Sequence, residues 1–118
     1  MAYVDGFIVP VPKNRIDDYR TLAAKAAAIW KEHGALAVVE CLADDAPHGE
    51  LTSFPRAVLA TQDETVAFSW IVYETREARD AVNAKVMADP RLKDDMANMP
   101  FDGRRLIFGG FTPIVGAP

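Results

Sequence analysis

The chain has 118 residues, half of them hydrophobic and a quarter charged, and a formal net charge of −4. This length suits a single domain over residues 1–118, and the acidic balance excludes a basic surface for nucleic acid or anionic lipid. The single cysteine, Cys41, excludes an internal disulfide and favours a cytoplasmic protein, and no segment has the pattern of a membrane span or signal peptide.

Four segments are predicted as β-strands. The first is expected over residues 2–11, the second over 35–42, and the last over 105–115. The third, TVAFSWIVY at residues 65–73, has one polar interior residue, Ser69, and is rich in β-branched and aromatic side chains. Such a segment is typical of a strand that is covered on both faces, so we expect it at the centre of the sheet.

Three helices are predicted between these strands. The first begins at Asn14, a plausible N-cap, and ends at His33–Gly34, with an apolar stripe along one side. The second covers residues 76–88 after the cap Thr75, and a short third helix covers residues 90–97.

A long connection, residues 43–64, precedes the central strand. Its length exceeds that of a hairpin loop and is typical of a lid over a pocket, an arm in a dimer, or an extra short element. Residues 53–59 within it fit either one helical turn or a short edge strand.

The order of elements predicts an α+β fold, the ferredoxin-like βαββαβ arrangement. Right-handed connections then place the first and third strands in the middle of a four-stranded antiparallel sheet, with the helices on one face. The other face would expose a broad apolar patch, which soluble monomers rarely tolerate. We therefore expect a homodimer in which a second copy covers this face.

Several motifs in order carry a family resemblance. They are YVDGF, WKEHGAL, TSFP, ETVAFSWIVY, AVNAKVMADPR and MPFDGRRLIFGGF, which together span almost the whole chain. With these motifs the sequence resembles the YbaA-like family of small bacterial proteins, which is placed in the dimeric α/β-barrel superfamily. The resemblance implies a ferredoxin-like subunit whose sheet pairs with that of a partner. It carries over no activity, cofactor or catalytic residue.

Three titratable residues are candidates for chemistry. His33, at the end of the first helix, could act as a general base or haem ligand, or simply complement the helix C-terminus. Asp5 and Glu40 lie inside apolar strands, where a buried carboxyl group gains acid/base character. Alternatively, Asp5 caps a neighbouring backbone group or pairs with Arg104 or Arg105, and Glu40 lies on an edge strand facing water.

A hollow on the sheet is the preferred place for a ligand. Gly6 and Gly109–Gly110 are expected on adjacent strands, where the missing side chains leave a space for a ligand or for an aromatic side chain from a helix or the partner. Trp70 could line an aromatic cavity with Trp30, Tyr19 and Phe108, or pack in the core, whereas Cys41 is interpreted as a small core residue. The predicted pocket residues are Asp5, Gly6, His33, Glu40, Trp70, Gly109 and Gly110. No spacing predicts a metal site or a cofactor.

Two functional hypotheses follow. In the first, a homodimer binds a small, mostly apolar molecule between helices and sheet, with cofactor-independent oxygenase or isomerase chemistry as a variant. In the second, the dimer is a non-catalytic module for assembly or for a protein partner. The sequence leaves open whether the protein is an enzyme.

Overall fold

A computed structural model describes residues 2–116. Its elements in chain order are β1 (Tyr3–Pro12), α1 (Ile16–Glu32), β2 (Ala37–Leu42), α2 (Phe54–Ala57), β3 (Glu64–Tyr73), α3 (Arg76–Met87), α4 (Pro90–Ala97) and β4 (Ile107–Phe111). Short 3₁₀ turns, Lys13–Arg15 and Gly103–Arg105, precede α1 and β4. No helix within this described part of the chain is both long and apolar enough to span a bilayer.

The strands form one antiparallel sheet in the order β2-β3-β1-β4. The predicted four-stranded antiparallel sheet is thus confirmed, and β1 and β3 lie at its centre. β3 contains Tyr73, a large side chain of the sheet with no exposed surface. The composition of TVAFSWIVY predicted this central position because only a strand paired on both edges can bury so many apolar groups.

The helices pack on one side of the sheet, which we call the helix side. Residues of β3 and three helices form the main core there, namely Ile29, Ile71, Tyr73, Val82, Val86 and Leu92. A second cluster under the start of α1 contains Val9, Val11, Tyr19 and Ala67. Apolar residues at helical spacing on α1 and α3 pack against alternate residues of β1 and β3. The helical and the strand periodicities predicted from the sequence therefore both contribute to this core layer.

Helix ends follow the expected capping chemistry at two of three places. The Thr75 hydroxyl accepts a hydrogen bond from the backbone N–H of Ala78, and Asp89 does the same for Arg91. The expected cap at Asn14 is wrong, because this residue lies inside the 3₁₀ turn and Arg15 precedes α1 without a side-chain cap.

The opposite side of the sheet, which we call the open face, is apolar except at one end. Strand register assigns to it Val4, Gly6, Ile8, Pro10, Pro12, Ala37, Val39, Cys41, Glu64, Val66, Phe68, Trp70, Val72, Ile107, Gly109 and Phe111. Phe68, Ile107 and Phe111 are 41%, 43% and 62% exposed. Cys41 is also exposed, on the edge strand β2, so its interpretation as a core residue is wrong.

The connection between β2 and β3 lies beside the open face. Its residues 54–57 form a helical turn, not an edge strand. The ring of Phe54 packs edge-on against Phe68, with 5.7 Å between the ring centroids. Arg56 fastens the preceding loop by donating hydrogen bonds to the carbonyl groups of His48 and Gly49.

The last strand is shorter than predicted. β4 ends at Phe111, whereas the expected strand continued to residue 115. Thr112 and Pro113 follow without regular structure, and Pro113 has no N–H with which to extend a ladder.

Candidate functional site

The seven predicted pocket residues do not form one pocket. Asp5, Glu40 and Gly110 lie on the helix side, Gly6, Trp70 and Gly109 lie on the open face, and His33 follows α1. Among these seven, Glu40 lines the cleft described next.

A cleft of about 400 Å³ lies between α1 and β2 on the helix side. Its walls come from the first three turns of α1 and from residues 38–42 of the edge strand. On the helix wall, Ala23, Ala24 and Ala27 present only methyl groups. The alanines were expected to bring α1 close to the sheet, but at this edge their small side chains leave space instead. We call this space the Glu40 cleft.

Glu40 is the acidic residue of this cleft. Its residue is exposed overall on the edge strand, but its carboxyl group turns toward α1, where Oε1 accepts a 2.6 Å hydrogen bond from the Tyr19 hydroxyl. Partial burial raises the pKa of the Glu40 carboxyl above its ordinary value, against the opposing effect of hydrogen bonds from Tyr19 and Ser69. Glu40 thus lies exposed on an edge strand, as one alternative expected, while its carboxyl group also bonds to Tyr19.

Tyr19 is held in place by packing. It is 8% exposed, and its ring packs edge-on against Phe101 at 5.7 Å between centroids. Burial, with the hydrogen bond and negative charge of Glu40, raises the pKa of the Tyr19 phenol. The hydroxyl therefore stays protonated and continues to donate to the carboxylate.

Ser69 completes this group from the neighbouring strand. It is 5% exposed and lies directly opposite Glu40 in the β2–β3 register. Sequence analysis noted Ser69 as the one polar residue of the central strand but gave it no role. Its pairing with Glu40 depends on strand register, and the approach of Tyr19 depends on the rotation of α1 about its axis.

Asp5 belongs to a separate polar network under α3. Its carboxylate accepts a 2.7 Å hydrogen bond from Arg79, not from Arg104 or Arg105 as expected. The Arg79 guanidinium lies 4.9 Å from the centroid of the Tyr3 ring. Asp5 is 4% exposed and fully paired, so its role here is to hold α3 on the sheet.

The Asp5 network continues into the core through Tyr73. The indole N–H of Trp30 lies 3.2 Å from the Tyr73 hydroxyl and 3.2 Å from the Asn83 carbonyl oxygen. Burial, together with the charge of Asp5, raises the pKa of Tyr73. These buried polar groups satisfy one another and hold α1 and α3 together.

His33 joins the end of α1 to the start of α4. Its Nε2 lies 2.8 Å from Oδ2 of Asp89, which also accepts hydrogen bonds from the Arg91 guanidinium. These bonds hold the pKa of Asp89 well below its usual range, with the largest contribution from Arg91. The arrangement fits a junction between helices.

The glycine hollow is filled by the chain's own aromatic rings. Edge atoms of Phe111 lie within 4 Å of where side chains on Gly6 and Gly109 would begin. On the other side of the sheet, the Tyr3 ring occupies the position of a side chain on Gly110. The rings belong to β4 and β1, whereas the prediction expected an aromatic side chain from a helix or from the partner.

A metal centre finds no support in residues 2–116, where no three His, Cys, Asp or Glu side chains converge. The cleft is instead lined by methyl and methylene groups around one carboxylate. Its chemistry is that of an apolar site with a single strong hydrogen-bond acceptor.

The fold and cleft define an α+β protein with a four-stranded antiparallel sheet, helices on one side, and a small carboxylate-containing cleft at the sheet edge. A family model with the description "Protein of unknown function (DUF1428)" matches residues 2–103. The chain belongs to this family. It is 55% identical to "Uncharacterized protein YbaA" of Escherichia coli K12 over 115 residues, 98% of each chain, and equally identical to the YbaA of Shigella flexneri.

Solved structures share the fold at low sequence identity. SnoaB, a cofactor-independent oxygenase from Streptomyces nogalater, matches with a TM-score of 0.55 and 17% identity, covering 99% of this chain and 95% of its own. The de novo designed protein Foldit4 matches with a TM-score of 0.52 and 10% identity, covering 96% and 99%. At such identities the likeness concerns the fold alone.

Proposed function

We propose that this protein binds a small, mostly apolar molecule in the Glu40 cleft, as one subunit of a homodimer with the ferredoxin-like strand order. The observation that carries the proposal is the Glu40 carboxyl group, which accepts a hydrogen bond from Tyr19 in a cleft lined mostly by apolar side chains, with Arg20 at its rim. A carboxylate has about four lone-pair positions, so two hydroxyl donors leave acceptor capacity for a ligand. Apolar walls with one placed polar group are typical of small-molecule sites.

The cleft is large enough for such a ligand. A space of about 400 Å³ falls within the range of small-molecule pockets, roughly 300–1,000 Å³. The connection before β3 packs against Phe68 on the open face. In this proposal the connection is an arm beside the partner subunit and not a lid over the Glu40 cleft.

The homodimer is proposed from the open face. Apart from Glu64 at one end, uncharged residues form this face, and Phe68, Ile107 and Phe111 are among its exposed members. Two copies paired across a two-fold axis would shelter the same apolar surface on each subunit. The pairing would leave both Glu40 clefts on the outer, helix side. We place the dimer in the cytoplasm because a lone exposed thiol, Cys41, suits a reducing compartment.

Catalysis is a second candidate, favoured by the raised pKa of Glu40. A carboxylate in an apolar cleft is a stronger base than one in water, and it could take a proton from an acidic O–H or C–H group of a bound molecule. Isomerases and cofactor-independent oxygenases both need such a step, and SnoaB, which shares the fold, is an oxygenase of this kind. The non-catalytic alternative, a module for assembly only, predicts no ligand in the cleft.

The experiment is a calorimetric titration with 1-naphthol, an apolar probe with one polar group. We expect saturable binding by the wild-type protein and its loss in Ala27→Phe, because the added ring would fill the cleft that Ala27 lines. Ala28→Phe is the matched control: Ala28 is exposed on the next helix position and is not a wall of the cleft, so this variant should bind as the wild type does. Absent binding, or equal binding by Ala27→Phe, would contradict the proposal.

A further inference from the structure

The polar side chains of the Glu40 cleft face one another, and this restricts which polar groups of a ligand the cleft can bind. The Tyr19 hydroxyl donates its proton to Glu40 Oε1. Ser69 lies directly opposite Glu40 in the strand register, and its hydroxyl lowers the pKa of the Glu40 carboxyl. The Tyr19 hydroxyl, which lines the cleft, is thus engaged by the carboxylate. What remains for a ligand is acceptor capacity, on the carboxylate and on the Tyr19 oxygen.

The cationic side chain beside this cleft, Arg20, is paired with another residue. Arg20 lies at the rim, with its side chain 68% exposed, and its guanidinium donates a 2.9 Å hydrogen bond to Asp17. A charge so exposed is well screened by water and attracts an anion weakly. Inside the cleft, an anionic ligand would instead meet the like charge of Glu40.

From this arrangement we infer that the ligand of the Glu40 cleft is a hydrogen-bond donor, a hydroxyl or amino group on an apolar body, and that carboxylates and phosphates are rejected. The inference rests on the proposed function and specifies the class of its ligand. Selection comes from the carboxylate itself: a donor gains a charge-assisted hydrogen bond, an ether of the same shape leaves the acceptor unpaired, and an anion is repelled.

The test uses three naphthalenes of similar size, titrated by calorimetry at about pH 8, well above the ordinary titration range of a carboxyl group. 1-Naphthol carries a donor, 1-methoxynaphthalene only an acceptor, and 1-naphthoate a negative charge. We expect 1-naphthol to bind about tenfold more tightly than the ether, the equivalent of one hydrogen bond to a charged group, and 1-naphthoate to bind most weakly.

A variant then assigns this ranking to Glu40. Glu40→Gln keeps the shape but removes the charge and adds two N–H donors, so the preference for 1-naphthol should fall and 1-naphthoate should bind more tightly than in the wild type. Glu50→Gln makes the same charge change in an exposed loop residue and should preserve the wild-type ranking.

The possible outcomes separate the two proposals. If all three probes bind equally, or if Glu40→Gln retains the wild-type ranking, the donor rule is wrong while the binding site stands. Tight binding of 1-naphthoate by the wild type would overturn the rule in the same way. If no probe binds, the proposed function fails, and the donor rule fails with it.

Discussion

Glu40 gains its chemical character from two residues that are distant in sequence. Tyr19 approaches from α1 and Ser69 from the central strand. Both hydroxyls lower the pKa of the Glu40 carboxyl, whereas burial raises it. Burial is the larger effect, so the net pKa of Glu40 is raised. The Glu40 carboxylate is therefore a stronger base than a carboxylate in water.

Tyr19→Phe should raise the pKa of Glu40 further, because it removes a hydrogen bond that favours the ionised form. The phenyl ring retains the edge-on contact with Phe101, so the change isolates the hydroxyl. We expect a loss of about 1–2 kcal/mol in unfolding free energy above the titration range, where the ionised carboxylate loses a donor. The measurement is an NMR pH titration of the Glu40 side-chain carbonyl carbon; an unchanged pKa would contradict the account.

Glu64 is the opposite case, a carboxyl group whose pKa is lowered. Its carboxylate accepts hydrogen bonds of 2.7 and 2.8 Å from Arg105, and these bonds lower the pKa of Glu64 from 4.5 to about 2. Arg105 also donates to the Leu59 carbonyl, so the pair ties the end of the long connection to the start of β4. The Glu64 side chain is 10% exposed, which limits screening by solvent.

A carboxyl with a lowered folded-state pKa stabilises the fold above its unfolded pKa, and this contribution disappears as pH falls through the folded value. Glu64→Gln should therefore reduce the unfolding free energy by on the order of 2 kcal/mol at neutral pH. The difference from wild type should shrink between about pH 4.5 and pH 2. Urea denaturation of both proteins across this range measures it. A difference that stays constant with pH would be inconsistent with the Glu64–Arg105 pair.

At the scale of elements, β4 shows why two adjacent glycines are not equivalent. Gly109 faces the open side beneath Phe111, where an added methyl group would make ordinary contacts at 3.7 Å. Gly110 faces the helix side beneath Tyr3, whose ring occupies the space of an added methyl group. Tyr3 is itself held by Arg79, so it cannot simply swing away without losing that contact.

Gly110→Ala should accordingly destabilise the fold by about 1–3 kcal/mol, the usual effect of overpacking. Gly109→Ala is the matched control and should change stability by much less, because its new methyl group fits the existing space. Thermal or urea unfolding of the two variants distinguishes them. Equal stability of both would show that β4 does not pack against Tyr3 as described.

Elements whose pattern is local could be predicted from the sequence, while contacts between elements could not. β3 begins one residue earlier than predicted and ends at Tyr73 as expected, because nine residues of uninterrupted apolar and β-branched character leave little choice. α1 was predicted to start at Asn14, but the residues before Ile16 form a 3₁₀ turn. A 3₁₀ turn has the same local sequence signals as the first turn of an α-helix.

The candidate site illustrates the same limit. Glu40 could be singled out as a carboxyl within an apolar strand, but its partner Tyr19 is 21 residues away on a helix. The seven predicted pocket residues were chosen for their chemistry or for missing side chains, and strand parity then divides them between two faces. Only register and helix rotation decide which of them meet, and neither is encoded in a local pattern.

At the scale of the whole molecule, the two sides of the sheet carry different surfaces. The helix side holds the buried Asp5–Arg79 ion pair, polar networks and the Glu40 cleft, whereas the open face is uncharged apart from Glu64 at one end. The proposed account assigns ligand binding to the first side and self-association to the second.

Phe68→Lys tests the assignment of the open face. Phe68 is 41% exposed at the middle of this face, so a buried lysine ammonium in a paired interface should shift the protein to monomers. Phe108→Lys is the control: Phe108 is 71% exposed but pairs with Phe7 on the helix side, and its replacement should leave the dimer intact. Light scattering should give twice the 12.9 kDa chain mass for wild type and Phe108→Lys. A monomeric wild type would refute the proposed dimer.

Ligand binding in the Glu40 cleft is the central claim, and alanine methyl groups report on it directly. Ala23, Ala24 and Ala27 line the cleft, while Ala37 lies on the open face. In protein labelled with ¹³C at alanine methyl groups, titration with 1-naphthol should shift the resonances of the three cleft alanines and leave that of Ala37 in place. Unchanged cleft resonances, or shifts confined to Ala37, would contradict the claim.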